Sequence, residues 1–381
     1  MRKAKYQTLN NLEIIEENIL HNINFLYSLQ KQAEMFPVLK SNAYGHGLKE
    51  LCQILNKSQI KMVAVDSYPE AQIVYKYFKG KVLFLNEMPL KVYRYTKKKR
   101  SEFVVYNLET LKYLSRYRKK AKIHLFLNTG MNREGISDLK IFLEKGLKYL
   151  NKVDITGFCS HLAKANSLDS SMNIEQEKRF MQGLDLLREY KIFPKWLHLG
   201  ASAAVFTLDN KNLSAFRPGL ALYGYSPFPE DHNFSALAQK ELKPALRIYS
   251  QIISVQKIRT GDWVSYADTF RAENDFDLAV IPFGYFEGLN RRLSNKAKFF
   301  LESQKKNQES LWLPLRGLVC MNMTCLDAGL GKTDHLLGAK IQLISDLKDR
   351  ENALENLAKL SEMSPYEFLV KINHSIHRKI V

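Results

Sequence analysis

The chain has 381 residues, 45% of them hydrophobic, and a formal net charge of +18. This length and composition indicate a globular protein with a large core, built as two domains or as one barrel with an extension. No stretch of about 18 apolar residues occurs, and no apolar run follows the basic residues at the N-terminus. From these features we expect a cytoplasmic protein with no membrane-spanning helix, no secretory signal and no membrane partner.

The positive charge is also typical of nucleic-acid-binding proteins. The densest basic runs are residues 97–100 and 116–120, but no nucleic-acid-binding motif accompanies them, and the excess lysine is spread along the chain. We therefore expect a solvated basic surface that could attract small anions, and no nucleic-acid partner. Steeply salt-dependent binding to a random oligonucleotide would support the alternative.

The four cysteines, Cys52, Cys159, Cys320 and Cys325, are scattered. Cys320 and Cys325 have no partner pair at the spacing of metal ligands. We expect reduced core thiols and no metal site.

From Phe36 onward, short apolar runs alternate with longer segments of helical periodicity, which predicts a parallel α/β fold. The eight predicted strands are Phe36–Lys40, Met62–Val65, Val82–Leu85, Phe103–Tyr106, Ile123–Leu127, Ile155–Ser160, Trp196–Ala201 and Phe216–Leu222. Eight strands close a TIM-type (β/α)8 barrel, with an open doubly wound sheet as the alternative.

After about Pro244 the chain becomes rich in strand-like segments without regular helices between them, which predicts a second, mainly β domain. The predicted domains are therefore a barrel over residues 1–243 and a mainly β domain over 244–381, with the alternative that the first residues pack with the second domain. Residues 350–373 return to helical spacing, which Pro365 should interrupt.

Lys40 ends the first predicted strand and is followed by a turn-rich segment, which would place an amine at the mouth of the barrel. A buried lysine is costly unless its charge is removed, and a Schiff base with a carbonyl cofactor would do so usefully. A surface lysine at a strand end is the simpler alternative.

Several segments resemble, in order along the chain, the blocks of the alanine racemase family. The most specific is PVLKSNAYGHGL, which is similar to the family's cofactor-lysine motif. The others are HLFLNTGMNREG, GFCSHLAKAN, LHLGASAA, FRPGLALYG, VSYADTF, IPFGYFEGLNRRLSN and LRGLVCMNMT. Together they are highly specific, whereas any one of the others would be weak evidence of kinship.

The resemblance implies pyridoxal 5'-phosphate as cofactor, bound covalently by Lys40. Its phosphate would be held by Tyr44, Ser202 and the backbone at Gly219 and Leu220. Backbone amides, a hydroxyl and a phenol can saturate a phosphate without a lysine, which leaves the amine free for chemistry. Taken alone, Ser202 would more often be a hydroxyl that satisfies a turn.

Arg217 is placed by the resemblance against the pyridine nitrogen of the cofactor. Arginine keeps its protons at ordinary pH and accepts no hydrogen bond, so the ring nitrogen would have to accept one and stay largely unprotonated. This arrangement weakens the electron sink and limits side reactions such as transamination. A surface ion pair is the ordinary alternative for an arginine before proline.

Racemisation needs one acid/base group on each face of the reacting carbon. The resemblance assigns Lys40 to one face and Tyr266 of the partner subunit in a homodimer to the other. It also makes His161 the link between that tyrosine and Arg217. Taken alone, His161 would more often be a hydrogen-bonded core histidine.

The resemblance gives Arg133 a contact with the cofactor's phenolic oxygen and with the substrate carboxylate. The backbone at Met321 of the partner subunit would also donate to that carboxylate, and Tyr285 would line the substrate entry. An aromatic side chain such as Tyr285 could equally be ordinary core packing.

The match departs from the family's usual pattern at supporting positions. Phe126 stands where many members have a carbamylated lysine that steadies the barrel arginine, so something else must orient Arg133. The other departures are Asn128 for aspartate, Ala201 for asparagine, Leu318 for arginine, Asn322 for aspartate and His374 for tyrosine. Groups that support catalytic residues affect rate and substrate range, so these departures leave the specificity open.

The sequence thus predicts an isomerase that interconverts L- and D-alanine by a two-base mechanism and supplies D-alanine for cell-wall peptidoglycan. A serine or broad-specificity amino-acid racemase is the serious alternative. A related decarboxylase is less favoured, because SYADTF and the barrel segments match racemases.

Overall fold

The computed structural model describes residues 8–118, 120–169, 171–302, 310–331 and 333–381. The chain divides into two compact units. The first, here called the barrel unit, comprises Glu17–Ala43 and Leu51–Lys243. The second, here called the β unit, comprises the residues before Glu17, Tyr44–Glu50 and Pro244–Val381.

Strands β1 to β17 of the described residues are numbered in chain order. They are Asn11–Ile14, Glu34–Met35, Met62–Val65, Lys81–Phe84, Ser101–Val105, Lys122–Phe126, Asp154–Cys159, Trp196–His198, Ala215–Phe216, Leu246–Gln251, Ser254–Ile258, Phe276–Ile281, Lys298–Leu301, Leu311–Pro314, Thr324–Asp327, Lys340–Ile344 and His377–Ile380.

Right-handed helices α1 to α11 of the described residues are also numbered in chain order. They are Glu16–Leu29, Leu48–Leu55, Tyr68–Tyr77, Leu108–Tyr117, Leu139–Leu150, Ser171–Glu189, Ser202–Thr207, Ser235–Glu241, Thr333–Leu336, Leu354–Leu360 and Pro365–Val370. Among them, none combines the length and the apolar character needed to cross a membrane. Short 3-10 helices occupy Leu90–Tyr95, Leu220–Tyr223 and Arg291–Leu293.

The barrel unit is built on parallel strands. Strands β3 to β8 form one sheet in sequence order, and β2 pairs in parallel with β9. The ring continues from β2 to β3 through a bridge between Val38 and Ala64. It continues from β8 to β9 through a hydrogen bond from the Ser214 amide to the Leu197 carbonyl, 2.9 Å. The predicted (β/α)8 barrel is therefore confirmed, and the open sheet is excluded.

The first and last barrel strands are shorter than predicted. Regular pairing ends near Pro37 and Pro218, since proline has no amide hydrogen to donate to a ladder. Both proline carbonyls still accept hydrogen bonds, Pro37 from the Ala64 amide at 2.8 Å and Pro218 from the Val38 amide at 2.9 Å. The backbone thereby leaves the regular strand geometry before Lys40.

The barrel helices pack apolar stripes against strands that are buried on both faces. In α6 the ring of Phe180 stacks on Phe158 of β7 with ring centroids 4.8 Å apart. Helix α3 begins with a capping box in which Ser67 accepts from the Glu70 amide and Glu70 accepts from the Ser67 amide. Local sequence and tertiary burial therefore agree on where these helices lie.

The β unit contains a six-stranded sheet in the order β14-β13-β16-β10-β1-β17 and a three-stranded sheet in the order β11-β12-β15. Strand β1 pairs antiparallel with β10 and parallel with β17. The mainly β character predicted after Pro244 is confirmed. Pro365 interrupts the C-terminal helical segment as predicted, and it begins α11 behind the N-cap Ser364.

Candidate active site

The predicted site residues fall into two groups, one in each unit. The barrel unit holds Lys40, Arg133, His161, Ser202, Arg217, Gly219 and Leu220, and the β unit holds Tyr44, Tyr266, Tyr285 and Met321.

Lys40 begins a left-handed turn. Its successors Ser41, Asn42, Ala43 and Tyr44 all have φ between 50° and 54°. Left-handed backbone costs a non-glycine residue roughly 1–2 kcal/mol, so four in succession need external support. In the barrel unit, the Ser41 amide donates to Oε1 of Glu70 at 2.7 Å. The turn fixes the direction in which the chain leaves Lys40.

The amine of Lys40 lies beside a carboxylate. Its Nζ is 3.1 Å from Oδ2 of Asp66, and 38% of the lysine side chain is exposed. Asp66 directly follows β3, the strand next to the one that leads to Lys40. Parallel neighbouring strands end at the same edge of a barrel, which explains why the two side chains meet.

Arg217 is buried directly after β9, and its two terminal nitrogens are fully engaged. Nη1 donates to Nδ1 of His198 and to the His198 carbonyl at 3.0 Å, while Nη2 donates to the Ser160 carbonyl at 2.6 Å. Nη2 also lies 3.3 Å from Nδ1 of His161. Among the described residues Nε has no hydrogen-bond partner, so one donor of a rigidly held guanidinium remains for a ligand.

A chain of buried polar side chains continues from Arg217 through the barrel interior. Nε2 of His198 lies 2.7 Å from Nδ1 of His124, and Nε2 of His124 lies 3.0 Å from Glu102. The Glu102 carboxylate also accepts from Lys81 at 2.8 Å and from Thr156 at 2.9 Å. The side chains of Arg217, His198, His124 and Glu102 are here called the relay. Each of them lies on or beside a different barrel strand.

Glu102 and Arg217, at the two ends of the relay, determine which ring nitrogen of each histidine carries a proton. Ionised Glu102 can only accept, so His124 donates from Nε2 and accepts at Nδ1. His198 must then donate from Nε2, which leaves its Nδ1 to accept from Arg217. Both imidazoles are therefore neutral, with one tautomer each, and the arginine remains the cation.

The electrostatics agree with this assignment. Burial raises the pKa of Glu102, but the hydrogen bonds from His124 and Lys81 and the positive charge of Lys81 outweigh it and lower the pKa to about 2. Burial lowers the pKa of His198 well below its ordinary value, and Arg217 lowers it further. Burial also lowers the pKa of His124, although the hydrogen bond that His124 donates to Glu102 acts in the opposite direction.

His161 lies among the cations of the site. Burial, followed by the charges of Arg217, Arg133 and Lys40, lowers its pKa to about 3. Its imidazole is thus neutral at physiological pH, and Nδ1 can accept from Arg217 while Nε2 carries a proton. The structure therefore places Lys40, Arg133 and Arg217 close enough to His161 for their charges to act on it.

Ser202 gathers backbone amides around its hydroxyl. Its Oγ accepts from the Gly219 amide at 2.9 Å and from the Ala221 amide at 3.1 Å. Ser202 is the first residue of α7, and Leu220 begins the 3-10 helix that carries the second amide. Converging amides beside a hydroxyl form the kind of cradle that binds phosphate oxygens.

Arg133 pairs with its own neighbour in sequence. Its Nε donates to Oε2 of Glu134, and Nη2 donates to Oε1 at 2.6 Å. The partner that the sequence left unnamed is therefore Glu134, and the apolar Phe126 has no hydrogen-bonding group to offer. Hydrogen bonding to Glu134 raises the pKa of Arg133.

In the β unit, three predicted residues lie on segments that are bonded together. The Tyr285 amide donates to the Cys320 carbonyl at 3.0 Å, next to Met321. The hydroxyl of Ser265, which precedes Tyr266, donates to the Leu318 carbonyl at 2.8 Å.

Tyr266 is 67% exposed and sits between residues with unusual backbone geometry. Ser265, Ala267 and Asp268 have φ of 67°, 60° and 47°. Strained backbone is often found at functional sites, so the geometry of this exposed loop supports a role for Tyr266.

Of the departures in this unit, Asn322 donates to Glu287 at 3.0 Å and His374 is exposed.

Some residues that the structure places in the candidate site were missed by the sequence reasoning. They are Asp66, Glu70, Glu102, His124, Glu134 and His198. For four of them the available signal was an ionisable residue inside or directly after an apolar strand, as with Glu102 in SEFVV and His124 in KIHLF. Such residues are rarely buried without a partner.

Two family models match almost the whole chain. "Alanine racemase, N-terminal domain" matches residues 14–227, and "Alanine racemase, C-terminal domain" matches residues 245–380. The chain belongs to the alanine racemase family. Family membership makes it an amino-acid racemase.

Relatives and solved structures agree with the family assignment. The chain is 28% identical to the alanine racemase of Borreliella burgdorferi over 97% of this chain and 95% of that protein. It is 26% identical to alanine racemase 1 of Clostridium acetobutylicum over 96% and 94%.

Among solved structures, an alanine racemase from Streptomyces lavendulae matches with a TM-score of 0.88 at 23% identity, covering 99% of this chain and 98% of that one. The alanine racemase of Bartonella henselae, solved with covalently bound pyridoxal phosphate, matches with a TM-score of 0.82 at 22% identity, covering 98% and 100%. Members of the family thus share this fold across large sequence distances.

The residues of the barrel unit fit pyridoxal phosphate. They supply an amine at Lys40, an amide cradle at Ser202 and, at Arg217, an Nε–H without a hydrogen-bond partner among the described residues. These groups are complementary to the aldehyde, the phosphate and the pyridine nitrogen of that cofactor.

Proposed function

We propose that the chain is a pyridoxal-phosphate-dependent alanine racemase that interconverts L- and D-alanine by a two-base mechanism. The observation that carries the proposal is the convergence of Lys40, His161 and Arg217 at one end of the barrel. We further propose a homodimer that acts in the cytoplasm and supplies D-alanine for peptidoglycan. The cellular role is inherited from the family.

In this proposal Lys40, Ser202 and Arg217 hold the cofactor. Tyr44, Gly219 and Leu220 complete its phosphate site, and Arg133 meets its phenolic oxygen. Bound pyridoxal phosphate would supply the electron-withdrawing ring that makes the α proton of an amino acid removable. Arg217 keeps its own protons because His198 and His161 accept from it as neutral bases.

Two groups of the protein move the proton. Nζ of Lys40 removes or returns it on one face, and the phenol oxygen of Tyr266 of the partner subunit acts on the other. His161, neutral and bonded to Arg217, would share its Nε2 proton with that phenol. Arg133 would bind the substrate carboxylate, together with the backbone at Met321 of the partner subunit, while Tyr285 lines the entry.

The surface of the β unit supports the proposed dimer. Around Tyr266, large apolar side chains are exposed, namely Trp263, Tyr285, Phe286, Met321 and Met323. Exposed apolar groups in such number are typical of protein interfaces. A tyrosine at such a surface can serve the active site of a second copy.

Chiral separation of products tests the reaction. Purified holoenzyme is incubated with L-alanine and, in parallel, with L-serine. We expect D-alanine to form faster than D-serine, and activity to be lost in Lys40→Ala and Tyr266→Phe but kept in Tyr117→Phe, which alters an exposed tyrosine of the barrel unit. Faster formation of D-serine would make the protein a serine racemase. Absence of both D-amino acids from cofactor-loaded protein would refute the proposal and make decarboxylation the next assay.

Subunit mixing tests the shared site. If each site takes Lys40 from one subunit and Tyr266 from the other, a heterodimer of Lys40→Ala and Tyr266→Phe has one intact site. Random reassortment in equal amounts should restore about a quarter of wild-type activity. If sites were contained within one subunit, mixing two inactive variants would restore none.

A further inference from the structure

The Arg133–Glu134 ion pair lies on a loop whose two ends are joined by backbone hydrogen bonds. The Asn128 amide donates to the Ile136 carbonyl at 3.0 Å, and the Ile136 amide donates to the Phe126 carbonyl at 2.8 Å. Residues 128–136 therefore form a closed turn directly after β6. Backbone bonds of this kind leave little freedom to the residues between them.

The interior of the loop is also fixed. Oδ1 of Asn128 accepts from the Gly130 amide at 3.0 Å and from the Asn132 amide at 3.1 Å. Gly135 has φ +114°, and a Cβ at this position would lie 2.7 Å from the Asn128 nitrogen and 2.8 Å from Phe126. Only glycine fits here, and its close approach to Phe126 places the neighbouring Glu134 near the end of β6.

The two side chains differ in exposure. Glu134 is only 17% exposed, whereas Arg133 is 58% exposed. The carboxylate therefore lies on the protein side of the pair, and the guanidinium extends from it. A carboxylate that binds Nε and Nη2 together fixes the plane of the guanidinium as well as its position.

The side-on pairing leaves a defined set of donors. Glu134 occupies Nε and one hydrogen of Nη2, and among the described residues Nη1 has no hydrogen-bond partner. The hydrogens of Nη1 and the second hydrogen of Nη2 thus point away from the carboxylate. An oxygen ligand can be bound by this edge without breaking the ion pair.

Glu134 also faces the rest of the site. Its charge acts on buried Arg217 and Cys159 and on Tyr106, opposing the cations of the barrel mouth. At the mouth of the barrel, Lys40 therefore pairs with Asp66, and Arg133 pairs with Glu134.

We propose that Glu134 is the positioning residue for Arg133, holding its guanidinium so that the Nη1 edge receives the carboxylate of the amino-acid substrate. This inference rests on the proposed function, in which Arg133 binds that carboxylate.

The test uses propionate, a carboxylate without an amine, titrated into the holoenzyme while the cofactor's absorbance is followed. Glu134→Gln keeps the size of the side chain but removes its charge. If Glu134 positions Arg133, the dissociation constant for propionate should rise about tenfold, as for the loss of a charge-assisted contact. KM for alanine should rise with it, while kcat changes much less. If Glu134 only neutralised Arg133, the same variant would bind propionate more tightly, which would overturn the inference.

A double-mutant cycle separates positioning from a structural role. In an Arg133→Met background, Glu134→Gln should leave propionate affinity unchanged or raise it, because the remaining carboxylate repels the probe. An equal loss of affinity in both backgrounds would refute action through Arg133. Asp185→Asn, which breaks an exposed arginine–aspartate pair on α6, is the matched control and should change neither affinity nor KM.

Racemisation by the wild type is scored separately. A wild type that binds propionate through Arg133 and Glu134 but forms no D-alanine refutes the proposed function and supports this inference. A racemising wild type whose propionate affinity is unaffected by Glu134→Gln refutes this inference alone.

Discussion

Glu102→Gln tests the contribution of the buried carboxylate at the inner end of the relay. The wild-type carboxylate is almost completely buried and accepts from Lys81, His124 and Thr156. Glutamine has one acceptor oxygen and an amide that donates, so it cannot satisfy all three donors. The variant keeps the volume of the core and loses the charge that the donors surround.

The size of the effect follows from the shift in pKa. The pKa of Glu102 falls from 4.5 to about 2 on folding, which corresponds to about 3 kcal/mol of stability at neutral pH. Because the folded pKa is lowered, this contribution is complete above the unfolded pKa of 4.5 and is lost as the pH falls towards 2. About half of it should remain at pH 3.

Urea unfolding of the cofactor-free proteins at pH 7, 5 and 3, followed by circular dichroism, measures the difference. We expect Glu102→Gln to be less stable than wild type by a constant amount at pH 7 and 5, and by about half that amount at pH 3. Thr156→Val, which removes one neutral donor to the same carboxylate, should cost about 1 kcal/mol at pH 7 and change less with pH, because Lys81 and His124 still stabilise the ionised carboxylate. A stability difference that stays the same from pH 7 to pH 3 would refute the reasoning.

Three further predictions concern the site. Gly157→Ala would place a Cβ 2.2 Å from Nδ1 of His124, so the free energy of unfolding should fall by about 1–3 kcal/mol in urea titrations; an unchanged stability would contradict the packing. NMR should show a neutral His161 down to about pH 3, and Arg217→Met should raise its pKa by removing a neighbouring positive charge; a wild-type titration near 6.5 would contradict this. Ser202→Ala should weaken equilibrium binding of pyridoxal phosphate about tenfold but not that of pyridoxal; equal losses would exclude a phosphate contact.

The barrel could be predicted because each strand can be recognised from its own short stretch of sequence. Met62–Val65 and the core of Ile123–Leu127 are apolar runs flanked by helical periodicity, and both match strands of the structure. The ends of the first and last strands were wrong because the effect of Pro37 and Pro218 on pairing depends on which neighbour each strand meets.

The candidate site was predicted where a residue type and its position coincide. Lys40 after a strand and Arg217 after another were identified with the help of the family motifs, and the structure places Arg217 3.3 Å from His161. The left-handed turn after Lys40 could not be predicted, because serine, alanine and tyrosine have no preference for that conformation. Tertiary contacts, such as the hydrogen bond to Glu70, impose it.

The sequence by itself determined the barrel followed by a β unit and the family, and it named the candidate site residues, because hydrophobic period and motif are local properties of the chain. The tertiary structure alone decided which charges meet. The relay from Arg217 to Glu102 joins strands far apart in sequence, and the pairing of Arg133 with Glu134 depends on how one loop closes. Hydrogen bonds and pKa values depend on distance in space, which the order of residues does not specify.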